Sequence, residues 1–163
     1  MDNTIQTPHL VTDQPPYEIL SEDFPKHDWP ISGGWGYDRS SPCIIEADNE
    51  YDGVSLEMQF IQYRTYEELI VFRDRDDSYA GINIKKDFQA LMHIDNRYYD
   101  KVDYTVSAWP KADWEMLKMD WISHKGYADD AEGARKHLSL KLSKMVTYKT
   151  TGYFDITSFY GKF

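Results

Sequence analysis

An alternating pattern on both sides of the turn "DNRYYD" constrains the fold of this chain more than any other feature. After the turn, apolar residues alternate with polar ones at Val102, Tyr104, Val106 and Ala108. Before it, "DFQALMHI" also alternates, although a helix would place its apolar residues on one face too. Two alternating segments joined by a short polar turn are typical of an antiparallel hairpin. We therefore expect an antiparallel sheet rather than alternating β-α units.

The segment "PKADWEMLKMDWISHKG" is the best candidate for a helix. Pro110 suits a first helical turn. Trp114, Leu117 and Trp121 follow at a helical spacing and form an apolar stripe that can pack on a sheet. We expect one long helix at about residues 110–122, covering one face of the sheet. The later segment "DDAEGARKHL" remains open between a short second helix and a loop.

Two segments before the hairpin also have the composition of strands. "SPCIIEAD" predicts a short one, and the stretch from Val54 to Phe72 predicts two more after a turn at "NEYDG". A single helix is the competing interpretation of that stretch, because Leu56, Phe60 and Tyr63 would share a face. Its β-branched and aromatic residues, and the lack of recognisable caps, favour strands.

The C-terminal third predicts a further hairpin. Leu138, Leu140 and Leu142 alternate with polar residues into "MVTYK", "TTG" reads as a turn, and "YFDITSFYGKF" reads as a last strand. The whole pattern predicts an α+β fold with an antiparallel sheet of about six or seven strands. A chain of 163 residues is typically one domain. We place it at residues 29–163, after an irregular lead-in at residues 1–28.

The charge of the chain limits its partners. The net charge is -10, and residues 1–130 carry -14 against +4 for residues 131–163. Such a body repels nucleic acids and anionic membranes and attracts basic proteins. One cysteine excludes an internal disulfide, and neither a signal peptide nor a run of 18 apolar residues is present. We therefore expect a cytoplasmic protein that binds neither nucleic acid nor membrane.

Known cofactor and metal motifs are incomplete in this sequence. Gly34 and Gly36 lack the third glycine of a dinucleotide loop, and no glycine is followed by Lys-Ser or Lys-Thr. "DNEYDG" has acidic residues where a calcium loop begins, but Gln59 stands where the bidentate glutamate would be. No histidine pair has the spacing of a zinc site. We therefore expect neither a cofactor nor a metal.

Five residues are candidates for a ligand-binding or partner-binding site. Aromatic and titratable side chains of this kind line pockets, and the set comprises Trp35, Tyr37, Glu68, His93 and Trp114. Burial beside Ile70 and Phe72 would raise the pKa of Glu68. Trp35 lies among glycines, which permit a tight corner, and we expect its ring to be buried under the helix at 110–122.

Three functions are compatible with these features. We favour a non-enzymatic acidic protein that recognises a basic protein partner, because no catalytic motif is present. Small acidic proteins that neutralise bacterial toxins share this charge and size, although no motif here identifies such a family. The alternative is a small-molecule-binding domain or enzyme with an aromatic pocket between sheet and helix. A third possibility is a homo-oligomer that pairs through a terminal edge strand.

Overall fold

A mixed sheet and four α-helices make up the computed structural model, which describes residues 3–162. A π-helical turn at Glu67–Val71 extends the second helix, and 3₁₀ turns lie at Arg75–Asp77 and Lys125–Tyr127. The bounds in chain order are α1 (Pro16–Asp23), β1 (Ile31–Gly33), β2 (Cys43–Ile45), α2 (Glu50–Tyr66), β3 (Tyr79–Ile94), β4 (Arg97–Pro110), α3 (Lys111–Ser123), α4 (Ala131–Lys144) and β5 (Val146–Asp155).

The sheet has five strands in the order β1-β2-β5-β4-β3. The pairs β1–β2, β3–β4 and β4–β5 are antiparallel, whereas β2 and β5 are parallel, with Cys43 opposite Phe154. The α+β class is therefore confirmed. The purely antiparallel sheet of six or seven strands is wrong, because one strand pair is parallel and two segments predicted as strands are helical.

The predicted hairpin is confirmed as β3 and β4. Ile94 pairs with Arg97, so Asp95 and Asn96 form a two-residue turn with φ angles of 52° and 65°. Positive φ at both central residues matches the twist of the flanking strands, and Asp and Asn tolerate it. The alternating residues of β4 that were assigned to one face are buried.

The stretch from residue 54 to 72 is helical, so the strands predicted there are wrong. Asn49 caps α2, because its side chain accepts a hydrogen bond from the Asp52 backbone N–H at 2.9 Å. "NEYDG" is therefore a helix start and not a hairpin turn. The buried face of α2 includes Glu57 and Arg64 among its apolar residues. These two charged residues interrupt the apolar spacing that would have indicated a helix.

The C-terminal third also differs from the prediction. Leu138, Leu140 and Leu142 lie on α4, which Asp130 caps by accepting from the Gly133 N–H at 2.9 Å. "TTG" continues β5 instead of turning the chain, and β5 ends at Asp155. The last strand is flanked by β2 and β4, so it is not the edge strand that was expected to pair between copies.

The long helix is confirmed as α3, close to the predicted bounds. Leu117 is buried, whereas Trp121 is 46% exposed. Trp35 does not lie beneath this helix, so that expectation is wrong. Its ring is half-buried and packs beside Phe60 of α2, with ring centroids 6.2 Å apart. Its indole N–H donates to the Gln14 carbonyl at 3.0 Å.

The core fills the space between the sheet and α2. It includes Phe60, Ile61, Val106 and Phe154, all nearly inaccessible to solvent. Leu20 of α1 is buried in this core, and the backbone of Asn3 and Ile5 pairs with that of Thr147. Within residues 3–162, no helix has the length and apolar character needed to cross a membrane.

Candidate functional site

The structure brings three of the five candidate residues together around one buried cation. Arg64 is fully buried, and its guanidinium lies 4.3 Å from the centre of the Tyr37 ring. It donates to the Trp35 carbonyl at 2.9 Å and pairs with Glu68 at 3.8 Å. The Nη2 group of Arg64 donates to the Tyr104 hydroxyl at 2.6 Å and to the Thr151 carbonyl at 2.9 Å. Sequence reasoning missed Arg64, because a buried arginine has no distinguishing pattern.

Glu68 is enclosed by hydrogen-bond donors. The Tyr37 hydroxyl donates to one carboxylate oxygen at 2.6 Å, and the Tyr148 hydroxyl approaches the other at 3.4 Å. Burial raises the pKa of Glu68, and Arg64 opposes that shift. Burial and the neighbouring carboxylate also raise the pKa of Tyr37. The cluster has few free donors or acceptors, and it holds the glycine-rich segment and β5 against α2.

The glycines around Trp35 make the corner that this cluster needs. Gly36 has a φ of 75°, and a Cβ there would lie 2.7 Å from the Tyr153 carbonyl oxygen. Its own carbonyl accepts from the Tyr153 N–H at 2.8 Å. A side chain at this position would push the segment away from β5.

The other two candidate residues lie elsewhere. His93 is exposed near the end of β3 and stacks on Tyr98 at 4.3 Å between ring centroids. Trp114 of α3 packs against Trp109 at 5.2 Å. The five residues therefore do not converge on one pocket. Among residues 3–162, no three His, Cys, Asp or Glu side chains are grouped closely enough to hold a metal.

A groove lined by four carboxylates lies between β2, the start of α2 and the segment before β1. The carboxylates belong to Asp28, Glu46, Asp48 and Asp52, and the cavity has a volume of about 390 Å³. No lysine or arginine lines it, and none of the four forms an ion pair within the described part of the chain. Its apolar lining is Pro30, Ala47 and Leu56.

Local structure explains how these acids come together. The helix start at Asn49 places Asp48 and Asp52 at the positive end of α2, where carboxylates are favourable. Pairing of β1 with β2 brings Pro30 beside Glu46, whose N–H donates to the Pro30 carbonyl at 2.9 Å. The sequence indicated only the acidic stretch "DNEYDG" at residues 48 to 53, and the tertiary fold adds Asp28 and Glu46.

An aromatic groove of larger volume borders α2 as well and is also lined by Ile82, Asn83 and Ile84 of β3. Its volume is about 640 Å³, and the two grooves share Ser55 and Gln59 of α2. His27, Tyr63 and Tyr66 form its aromatic wall, with the Tyr63 hydroxyl and the His27 ring nitrogen 2.6 Å apart. Aromatic faces beside unpaired carboxylates suit lysine and arginine side chains.

No protein-family model matches this chain, no curated protein is similar to it, and no solved structure matches it.

Proposed function

We propose that this protein is a non-enzymatic binding protein that recognises a basic segment of another protein. The binding surface consists of the two grooves described above, which share Ser55 and Gln59 and are together called the acidic–aromatic groove. The observation that carries the proposal is a concave site that is lined by four carboxylates and by no lysine or arginine, with none of the four in an ion pair within the described residues. A toxin-neutralising role fits this proposal, because an acidic protein of this size can cover the basic surface of a toxin.

Electrostatics supports both the encounter and the bound state. The charge of -14 on residues 1–130 attracts a basic partner over a distance of several ångströms and raises its association rate. Inside the groove, an arginine or lysine would form charge-assisted hydrogen bonds with the carboxylates. Tyr63 and Tyr66 offer ring faces and rigid contact area beside them, as in many protein interfaces.

A basic peptide tests the proposal directly. We would titrate the full chain with a tyrosine-containing oligo-arginine peptide and follow binding by calorimetry at low and high salt. The groove variant Asp28→Asn/Glu46→Gln should weaken binding about tenfold, the equivalent of one charge-assisted contact. High salt should weaken binding by the wild-type chain as well.

A matched variant separates the groove from overall charge. Asp76→Asn/Asp129→Asn removes two exposed carboxylates that line neither groove and form no ion pair in the described chain. Its affinity should stay within about twofold of wild type, because long-range attraction changes little. Equal losses in the two variants would mean that net charge alone attracts the peptide, and the assignment of the groove would then fail.

A further inference from the structure

The α3 and α4 hairpin exposes a large apolar surface. Only Leu117 of α3 and His137 of α4 are buried. Five large apolar side chains of the two helices are 46% to 66% exposed, and Trp121, Ile122 and Leu138 among them line the groove between the helices. We call this the α3–α4 apolar surface, which comprises Met119, Trp121, Ile122, Leu138 and Leu142.

The pattern on α3 is that of a helix with partners on more than one side. Trp114 and Leu117 point toward the chain's own fold, while Met119 and Ile122 lie one turn apart on the outer side. Leu138 and Leu142 form a matching outer row on α4. A groove of about 520 Å³ separates the two helices.

Charge indicates which partner fits. Residues 111–144 contain seven lysines or arginines and six acidic residues, a net charge of +1, whereas the rest of the chain carries -11. A basic partner would be drawn to that acidic remainder and not to this hairpin. Two copies of the chain repel each other through their acidic parts, and the hairpin is where this repulsion is smallest. Two ion pairs, Glu115–Lys118 on α3 and Glu132–Lys136 on α4, lie beside the surface, so charges of both signs border it.

We propose that a second copy of this chain packs on the α3–α4 apolar surface about a two-fold axis. The interface is then formed by the same surface of each copy, and the four helices, two from each copy, enclose a shared apolar layer. The row with Met119 and Ile122 in one copy would enter the inter-helix groove of the other, as ridges enter grooves. The five side chains expose on the order of 600 Å² per copy. With the lysine stems beside them, the area that each copy can bury approaches the roughly 800 Å² per partner of a standard interface.

This dimer interface involves no residue that lines the acidic–aromatic groove. α3 contacts β3 and β4, and the acidic part of the groove lies beside β1 and β2, at the other end of the strand order. The aromatic part is lined by Ile82, Asn83 and Ile84 of β3, but by no residue of α3 or α4. The dimer therefore carries two independent partner-binding grooves. Its failure would leave the proposed basic-peptide binding unaffected, since neither groove contains a residue of α3 or α4.

Sedimentation equilibrium from about 1 to about 100 µM tests the dimer. We expect the wild-type chain to reach twice its monomer mass within that range. Leu138→Glu and Ile122→Glu, each at an exposed position, should raise the dissociation constant at least about tenfold. Circular dichroism would confirm that both variants remain folded. Added salt should strengthen the dimer by screening repulsion, the opposite of its effect on basic-peptide binding.

Phe88→Glu is the matched control. Phe88 is 60% exposed, close to the 54% of Leu138, but lies on the edge strand β3. This variant should dimerise like the wild type. A monomeric wild-type chain at the highest concentration would overturn the proposal. Dissociation by Phe88→Glu with no effect of Leu138→Glu would also overturn it, since the copies would then meet at the sheet edge.

Discussion

Arg64 and Glu68 lie one helical turn apart, and both side chains are withdrawn from solvent, with Arg64 Nε 3.8 Å from Glu68 Oε2. The pair joins α2 to three other parts of the chain. Its partners are Trp35 and Tyr37 in the glycine-rich segment, Tyr104 in β4 and Thr151 in β5. A buried charge without its partner is costly, so each member depends on the other. This pair therefore anchors the glycine-rich corner and the central strands to α2.

Removing the buried guanidinium should destabilise the fold strongly. Arg64→Met leaves the Glu68 carboxylate without its cation and two backbone carbonyls without donors. We expect the free energy of unfolding to fall by about 3 to 5 kcal/mol, measured by urea denaturation. Adding Glu68→Leu should recover part of that loss, because no uncompensated charge remains. A decrease of less than about 1 kcal/mol in the unfolding free energy of Arg64→Met would contradict this role.

Stability should decrease as the solution becomes alkaline. Burial, with Asp100 beside it, raises the pKa of Glu57 from 4.5 to about 10. Between these values the folded chain holds a proton that the unfolded chain releases, so the free energy of unfolding falls as pH rises. Glu67, whose pKa burial and Asp23 raise to about 9, acts in the same direction. Each group contributes a slope of at most about 1.4 kcal/mol per pH unit.

Substitution of Glu57 tests this pH dependence. Glu57→Gln should flatten the fall in the unfolding free energy between about pH 5 and pH 9, measured by urea denaturation at a series of pH values. The exposed Glu115→Gln should leave the slope unchanged. If the unfolding free energy of the wild-type chain stays constant across this range, the pKa of Glu57 is not raised in the folded state, and the prediction is wrong.

Neutralising the acidic groove should stabilise the fold while it weakens partner binding. Asp28 and Glu46 line the groove without an ion pair in the described chain, so like charges repel there. We expect Asp28→Asn/Glu46→Gln to raise the free energy of unfolding by about 0.5 kcal/mol at low salt, with a smaller gain at high salt. Thermal unfolding at two ionic strengths measures the difference. A loss of stability would mean that the hydrogen bond from the Ser32 hydroxyl to the Glu46 carboxylate, at 3.2 Å, outweighs the repulsion.

Gly53 of α2 should not accept a side chain. A Cβ there would lie 2.5 Å from the ring of Phe159, which is buried. Gly53→Ala should cost about 1 to 3 kcal/mol through overpacking, although alanine favours helices by about 1 kcal/mol. Ser55→Ala on the exposed side of the same helix is the control and should change the unfolding free energy little. A stabilised Gly53→Ala variant would show that the Phe159 ring moves aside.

Local patterns were sufficient for the hairpin and for α3. The residues of β4 alternate, and the Asp95-Asn96 turn needs no distant partner. The segment "DFQALMHI" also fits a helix on its own, and its position next to this turn and to β4 favours the strand. Pro110 and the spacing of Trp114, Leu117 and Trp121 similarly determine a helix. The overall acidity and the α+β class follow from the same kind of local information.

The tertiary structure decided the rest. The 3.6-residue period of α2 is hidden, because Glu57, Arg64 and Glu68 face the core and are stable there only beside partners from distant segments. The leucines of α4 alternate by chance and lie on a helix whose outer side is exposed. The position of β5 between β2 and β4 depends on long-range pairing, which no local pattern encodes. The pairing of β1 with β2 likewise brings Asp28 close to Glu46, Asp48 and Asp52. The sequence by itself therefore determined the charge and the local elements, whereas the groove and the unpaired helical surface exist only because distant segments pack together.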